Sequence, residues 1–158
     1  MKFIVDCMLG KLARWLKVLG FDVLFFPRIE DHELLTIAQK ENRTLLTRDT
    51  DLVQKAKGVK NLFVSSEKWK VQVREVLDKF DLWGEVSAYT RCLECNVPLR
   101  VISRKAAKNL VPPFVYEHAT RFSLCPRCGR VYWQGTHYKD MKDKIEEILK
   151  NPKQAHGL

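Results

Sequence analysis

The first half of the chain alternates short apolar runs with amphipathic segments, and this alternation limits the fold more than any other feature. Phe3-Ile4-Val5 is a β-prone run that stops at the charged residue Asp6. Apolar residues then recur at helical spacing from Leu9 to Leu19, and Gly20 follows as a helix-terminating glycine. Further strands are predicted at residues 22–26, 44–47 and 61–64, with helices after each of them. Such alternation predicts an α/β fold, a mostly parallel sheet flanked by helices that ends near residue 85.

Acidic side chains follow three of the predicted strands. Asp6 comes after the first strand, Glu30 and Asp31 after the second, and Asp49 and Asp51 after the third. Because parallel strands end at one edge of a sheet, we expect these carboxylates to lie near each other. Close carboxylates repel unless a cation neutralises them, and Mg²⁺ or Mn²⁺ bound by such groups activates water against a phosphate. The pattern favours a metal site for phosphodiester hydrolysis; the alternative is that the acids are independent helix N-caps.

Positive charge is concentrated in the second half of the chain. The formal net charge of the 158 residues is +9, and residues 1–90 carry 15 Lys/Arg against 13 Asp/Glu, whereas residues 91–158 carry 13 against 6. A basic half indicates a polyanionic partner such as nucleic acid, although thermal adaptation or solubility also enriches Lys and Arg. No apolar run approaches the ~20 residues of a membrane span. We therefore expect a cytoplasmic protein with no membrane partner.

Two CxxC pairs, separated by 29 residues, give the strongest local signal: Cys92, Cys95, Cys125 and Cys128. Four thiolates in this spacing predict one structural Zn²⁺ per chain, held tetrahedrally in a zinc ribbon, with Gly129 suiting the sharp backbone of the second turn. A disulfide pair fits a cytoplasmic chain badly, and neither pair opens a helix as a thioredoxin-like redox site does. The fifth cysteine, Cys7, is predicted to be a small buried residue.

Basic and aromatic residues are interleaved between the two cysteine pairs. The basic ones are Arg100, Arg104, Lys105 and Lys108, and the aromatic ones are Phe114, Tyr116 and Phe122. Such a surface suits RNA with single-stranded character, because cations hold phosphates and rings stack on unpaired bases. The alternative is that the rings form the small core of the ribbon and the charges are solvated. His137 is open to three roles: a metal ligand, a phosphate contact or a surface histidine. A terminal helix is predicted at residues 139–150.

Several motifs, in this order, resemble the Mut-seven C-terminal RNase domain family. They are Asp6-x-Met-Leu-Gly-x-Leu-Ala-Arg14-Trp-Leu, Asp31-x-x-Leu-Leu, Leu-Leu-Thr47-Arg48-Asp49-x-x-Leu52, Cys-x-x-Cys-Asn96 and Cys-Pro-x-Cys-Gly-Arg-Val-Tyr-Trp133-x-Gly-x-His137. The resemblance covers nearly the whole chain. It implies a PIN-like nuclease domain over residues 1–85, followed by a zinc ribbon with a C-terminal helix over residues 86–158.

The resemblance also implies roles for particular residues. Asp6, Asp31 and Asp49 match the family's acidic set, and Asp51 is the candidate for a fourth catalytic acid. Arg14, Arg48 and His137 lie within the matched motifs, and we expect phosphate contacts from the two arginines. With two basic residues of the ribbon added, the predicted substrate-binding set is Arg14, Arg48, Arg104, Lys105 and His137.

The residues and the resemblance together predict a metal-dependent ribonuclease that holds catalytic Mg²⁺ or Mn²⁺ and structural Zn²⁺. Two other functions stay open. One is a non-catalytic RNA-binding module, which would keep the basic ribbon without a metal at the acidic edge. The other is a structure-specific DNA nuclease, because metal-assisted phosphodiester chemistry does not itself distinguish the two sugars.

Overall fold

The structure is a computed structural model that describes residues 1–150 and divides into two compact units. The first unit is Met1–Asn96, and the second begins at Val97. The boundary expected from the sequence, between residues 85 and 86, stays a prediction. Residues 151–158 of the predicted second domain lie outside the described residues. In residues 1–150 no helix is long and apolar enough to cross a membrane.

The first unit is built on a four-stranded sheet in which every neighbouring pair is parallel, in the order β2-β1-β3-β4. The strands are β1 (Lys2–Val5), β2 (Asp22–Phe25), β3 (Thr44–Thr47) and β4 (Asn61–Phe63). Their register aligns Val5 of β1 with Phe25 on one side and Leu46 on the other. The predicted α/β class with a parallel sheet is therefore confirmed, and the residues after β1 and β3 lie at one edge.

A helix follows each strand of this sheet. These helices are α1 (Gly10–Val18), α2 (Asp31–Lys40), α3 (Thr50–Lys55) and α4 (Trp69–Lys79), with short 3-10 turns at Cys7–Leu9 and Trp83–Glu85. The apolar spacing read from the sequence places Leu12 and Leu16 of α1 in the core, where both are fully buried. Full burial of one such side chain stabilises the fold by about 1.5–3 kcal/mol.

Gly20 ends α1 in a conformation that other residues rarely adopt. Its φ is +96°, as expected for a helix-terminating glycine. A Cβ on Gly20 would lie 2.2 Å from the carbonyl oxygen of Ser87. The glycine is therefore required both for its φ and for the close approach of the chain around Ser87.

The last residues of the first unit bind back to β2. The side chain of Asn96, at φ +60°, accepts a hydrogen bond from the N–H of Val23 at 3.0 Å and donates one to Asp22 at 2.7 Å. The buried Arg43 also donates to Asp22, at 2.7 Å. Burial raises the pKa of the Asp22 carboxyl, but the hydrogen bonds from Arg43 and Asn96 outweigh it and hold that pKa below its usual value. This network fixes the first cysteine pair to the sheet, because Asn96 directly follows Cys95.

The second unit contains a three-stranded antiparallel sheet in the order β5-β6-β7. Its strands are β5 (Arg100–Ile102), β6 (Phe122–Leu124) and β7 (Val131–Trp133), and its helices are α5 (Arg104–Ala107), α6 (Pro113–His118) and α7 (Thr136–Leu149). Helices α5 and α6 are not predicted from the sequence, and the terminal helix begins three residues before its predicted start at residue 139.

A small core holds the second unit together. Phe122 is buried against Ala107, Val111 and Val131, and Tyr116 packs partly against them. Phe114, in contrast, is 70% exposed. The expectation that the aromatic residues form the ribbon core therefore holds for Phe122 and in part for Tyr116, and it is wrong for Phe114, which lies in the first turn of the exposed helix α6.

Candidate active site and metal centre

A hydrogen-bonded chain joins Asp6 to Asp49 across the ends of β1 and β3. The buried hydroxyl of Thr47 donates to Oδ2 of Asp6 at 2.9 Å and accepts from the N–H of Asp49 at 2.9 Å. The backbone N–H of Asp6 in turn donates to the carbonyl of Leu46 at 3.0 Å. Parallel pairing of β1 with β3 thus brings two predicted catalytic acids to one place, with Thr47 between them.

Asp49 also caps the helix that follows it. Its Oδ1 accepts from the N–H groups of Asp51 at 2.9 Å and Leu52 at 3.2 Å, as an N-cap residue of α3 does. The N-cap alternative is therefore correct for Asp49. Both bonds use the same carboxylate oxygen, so capping is compatible with a metal contact through the other. Asp51 lies exposed in the first turn of α3.

Asp31 lies in the first turn of α2, next to the N-cap position that Glu30 occupies. The Lys55 ammonium, at the end of α3, lies 3.0 Å from Oδ2 of Asp31. This hydrogen bond, the charge of Asp31 and the charges of Asp49 and Asp51 raise the pKa of Lys55 above its usual value. Three of the four predicted catalytic acids therefore contribute to the raised pKa of Lys55.

Cys7 directly follows Asp6, the remaining predicted catalytic acid, and its thiol is influenced by both Asp6 and Asp31. Partial burial, a hydrogen bond to Asp6 and the charges of Asp6 and Asp31 all raise the pKa of its thiol. The prediction that Cys7 is buried is wrong, because Cys7 lies in the 3-10 turn ahead of α1 and is exposed. Asp31 thus acts on the pKa of both Cys7, beside Asp6, and Lys55, which also responds to Asp49 and Asp51.

An open depression of about 470 Å³ lies beside Asp31. It is lined by Glu30, Asp31, His32, Leu35 and Lys55. Its walls combine two carboxylates, an imidazole and an ammonium with one apolar side chain. It therefore offers polar groups of both charges beside Asp31.

The four cysteines form a compact cluster. Their Sγ atoms all lie within 4.8 Å of one another. Tetrahedral zinc with Zn–S bonds of ~2.3 Å needs sulfur atoms about 3.8 Å apart, so the thiols are close to the required spacing. The donor set fits zinc, and in the part of the chain that the structure describes it is the one group of three or more such side chains close enough to hold an ion. The acids at the sheet edge do not form such a group by themselves.

The backbone of each cysteine pair has the same form. The N–H of Cys95 points at Sγ of Cys92 at 3.4 Å, and that of Cys128 points at Sγ of Cys125 at 3.4 Å. The residue after each pair has positive φ, +60° at Asn96 and +75° at Gly129. The conformation expected for Gly129 is thus confirmed, and Asn96 fills the equivalent place in the first pair.

The predicted substrate-binding residues have different surroundings. Arg48 donates to the carbonyls of Val64 and Ser65, so it fixes the loop before α4. Arg104 donates to the carbonyl of Ala119 at 2.9 Å and lies 4.4 Å above the ring of Tyr116. The remaining three, Arg14 on α1, Lys105 on α5 and His137 on α7, are exposed.

Two residues at the acidic edge were not singled out from the sequence. Thr47 has a detectable signal, because a threonine that ends a buried strand two residues before an acid can bond to that acid's backbone. Lys55 has none, because its partner Asp31 lies 24 residues earlier in the chain.

The fold and these side chains define an α/β protein with a parallel sheet, acidic residues at the carboxyl edge of that sheet and a four-cysteine candidate zinc centre. The chain belongs to the Mut7-C RNAse domain family, whose model matches residues 1–145. Comparisons with curated proteins and with solved structures gave no match. The family indicates a ribonuclease-type function and implies an RNA substrate.

Proposed function

We propose that the protein is a metal-dependent ribonuclease of PIN-like architecture that hydrolyses RNA phosphodiester bonds at the edge bearing Asp6, Asp31, Asp49 and Asp51. The observation that supports this most is the Asp6–Thr47–Asp49 chain of hydrogen bonds. A buried hydroxyl that bonds to the carboxylate of one acid and to the backbone N–H of the other is typical of a site in which ligand position matters.

The donor set at this edge suits a hard divalent ion. Carboxylate oxygens prefer Mg²⁺ or Mn²⁺, and such an ion, when bound, polarises a phosphate and activates water. Thr47 orients Asp6, α3 orients Asp49, and Lys55 neutralises Asp31 until an ion does so. The Lys55 ammonium is exposed and lies at the end of α3, so it is free to turn from Asp31 toward a substrate phosphate.

For the second metal, we propose one structural Zn²⁺ per chain bound by Cys92, Cys95, Cys125 and Cys128. Thiolate ligands persist in a reducing compartment, which supports a cytoplasmic location. We further propose that the ribbon assists RNA binding through Lys105 and Lys108, which are exposed. Arg104 supports that surface by holding α5 and α6 together.

A non-catalytic RNA-binding module is the second candidate. It is favoured by the internal partners of the acids, because Asp49 caps α3 and Asp31 pairs with Lys55. Such a module would bind RNA and leave it intact whatever metal is present.

The test is to incubate zinc-loaded protein with end-labelled RNA and DNA of the same sequence, with Mn²⁺ and without added divalent ions. We expect Mn²⁺-dependent cleavage of RNA and little cleavage of DNA. Asp49→Asn should abolish cleavage, whereas the control Asp81→Asn should not. Asp81 is exposed just after the C-terminal end of α4, and its φ of +52° suits asparagine. Intact RNA in every lane would favour the binding module, and preferential DNA cleavage would favour the DNA nuclease.

A further inference from the structure

The packing of α1 against α4 places an indole ring among cations on the first unit. Trp15 of α1 and Trp69 of α4 stack with their ring centroids 4.7 Å apart and their planes 18° apart. Trp15 is buried, whereas Trp69 is only half-buried. The Nζ atoms of Lys11 and Lys70 lie 5.2 Å and 5.6 Å from the Trp69 ring centroid.

This arrangement lies at the same edge of the sheet as the acids. Lys11 is in the first turn of α1, five residues after Asp6. Arg48, next to Asp49, hydrogen-bonds to Val64 and Ser65 in the loop that leads into α4. The beginnings of both helices are therefore fixed near the ends of β1 and β3.

Two cations of α1, Lys11 and Arg14, are available to a ligand. Lys11 and Arg14 are exposed and three residues apart on α1, so they share one face of that helix. Within residues 1–150, neither of them lies within ion-pair distance of a carboxylate. A contact between an exposed ammonium and an indole ring is weak, so a phosphate can draw Lys11 away from Trp69 at little cost.

We infer that the surface formed by Lys11, Arg14, Trp69 and Lys70, here called the α1–α4 surface, binds single-stranded RNA and leads it to the acidic edge. The cations hold backbone phosphates, and the accessible part of Trp69 takes an unpaired base. Trp69 favours this ligand over an acidic polypeptide, because stacking on an accessible indole adds binding that charge alone does not give. The inference rests on the proposed function for the fate of the RNA, but the binding itself does not require cleavage.

The experiment measures the affinity of the full zinc-loaded chain for a fluorescein-labelled oligouridylate of about 12 nucleotides, without added divalent ions. All proteins carry Asp49→Asn so that no RNA is cut. Lys11→Ala with Arg14→Ala should weaken binding about tenfold at ~0.1 M salt and lower the salt slope by about 1.4, since each lost phosphate contact on a single strand contributes about 0.7.

The matched control is Lys40→Ala with Lys79→Ala. These residues are exposed in the last turns of α2 and α4, so the control removes the same charge from the opposite ends of helices in the same unit. It should change the dissociation constant by less than about twofold. Parental affinity in both double variants would overturn the inference. The same loss of affinity in both would overturn it as well.

A second measurement tests the base contact. Trp69→Phe keeps an aromatic ring against Trp15, and it should remove most of the RNA-dependent quenching of tryptophan fluorescence. Unchanged quenching would exclude Trp69 as the stacking residue. Polyglutamate of equal charge should compete poorly with the oligouridylate, and equal competition would overturn the assignment to RNA. A parent chain that binds RNA through this surface but never cuts it would refute the proposed ribonuclease activity alone.

Discussion

The hydroxyl of Thr47 donates a 2.9 Å hydrogen bond to Oδ2 of Asp6, although 41 residues separate them in the chain. The hydroxyl oxygen of Thr47 also accepts a hydrogen bond from the N–H of Asp49, so one buried side chain positions both acids. The bond exists because β1 and β3 are neighbours in a parallel sheet and end together.

Thr47→Val should remove this positioning while keeping the volume of the side chain. Asp6 loses a donor and the N–H of Asp49 loses an acceptor in a buried place, so the free energy of unfolding should fall by about 1–3 kcal/mol. Cleavage should fall about 10- to 100-fold, mainly in kcat. Denaturant unfolding and steady-state kinetics measure the two effects. Thr47→Ser, which keeps the hydroxyl, should recover most of the activity, and a serine variant as slow as the valine variant would contradict this role.

Lys55→Met should make the acidic edge a better site for a divalent cation. The ammonium near Asp31, Asp49 and Asp51 competes with a metal ion, and its removal leaves more negative charge there. We expect Mn²⁺ to bind about two- to fivefold more tightly, the modest size expected for an exposed charge. Electron paramagnetic resonance of free Mn²⁺ measures this without any substrate.

Lys57→Met is the control for that comparison, because Lys57 is exposed just after α3 and loses the same charge. Equal effects of the two substitutions would mean that only net charge matters. Weaker Mn²⁺ binding in Lys55→Met would show that Lys55 supports the ion rather than competing with it.

Cys125→Ser should release the bound zinc and unfold the second unit. Metal analysis of the parent should find about one zinc per chain, because closed four-cysteine sites hold a single ion. Binding of that ion contributes folding free energy to a small unit, so the second unit should melt before the first in the variant. Cys7→Ser removes a thiol outside the cluster and should keep the zinc. Full zinc occupancy in Cys125→Ser would contradict the assignment.

Gly20→Ala and Gly58→Ala separate backbone strain from steric clash. Both glycines have positive φ, +96° and +81°, but only a Cβ at Gly20 meets other atoms, whereas nothing lies within 4 Å of one at Gly58. Gly58→Ala should destabilise the protein by about 1–2 kcal/mol from strain alone. Gly20→Ala should cost at least ~1 kcal/mol more, because the overlap with Ser87 forces the backbone to move. Equal values in denaturant unfolding would contradict a clash at Gly20.

The sequence was most informative where local pattern and tertiary role agree. Thr44-Leu-Leu-Thr47 is apolar in its centre and stops at charged residues, and it forms β3 over the predicted span. The spacing of the four cysteines likewise predicts the cluster that their Sγ atoms form. In these places the residue types permit few alternatives.

Elsewhere the deciding interactions join residues far apart in the chain. Helix α6 is only six residues long, and its one local signal is Pro113 at the first helical position. The charge of Arg104 predicts a phosphate contact, which stays a prediction, whereas its position over Tyr116 depends on how α5 and α6 pack. The pairing of Lys55 with Asp31 depends on how α2 and α3 meet at the sheet edge, which no local pattern shows.

The most direct test of the acidic edge is a double-mutant cycle on Asp6 and Asp49, read as single-turnover cleavage of RNA at saturating protein and Mn²⁺. Asparagine keeps the shape of each side chain and removes its charge, so Asp6→Asn and Asp49→Asn should each lower the rate by roughly 10²-fold or more. The double variant should be little slower than either single variant, because ligands of one ion act as a unit. Cleavage by either single variant at the parental rate, with the same Mn²⁺ requirement, would contradict the account.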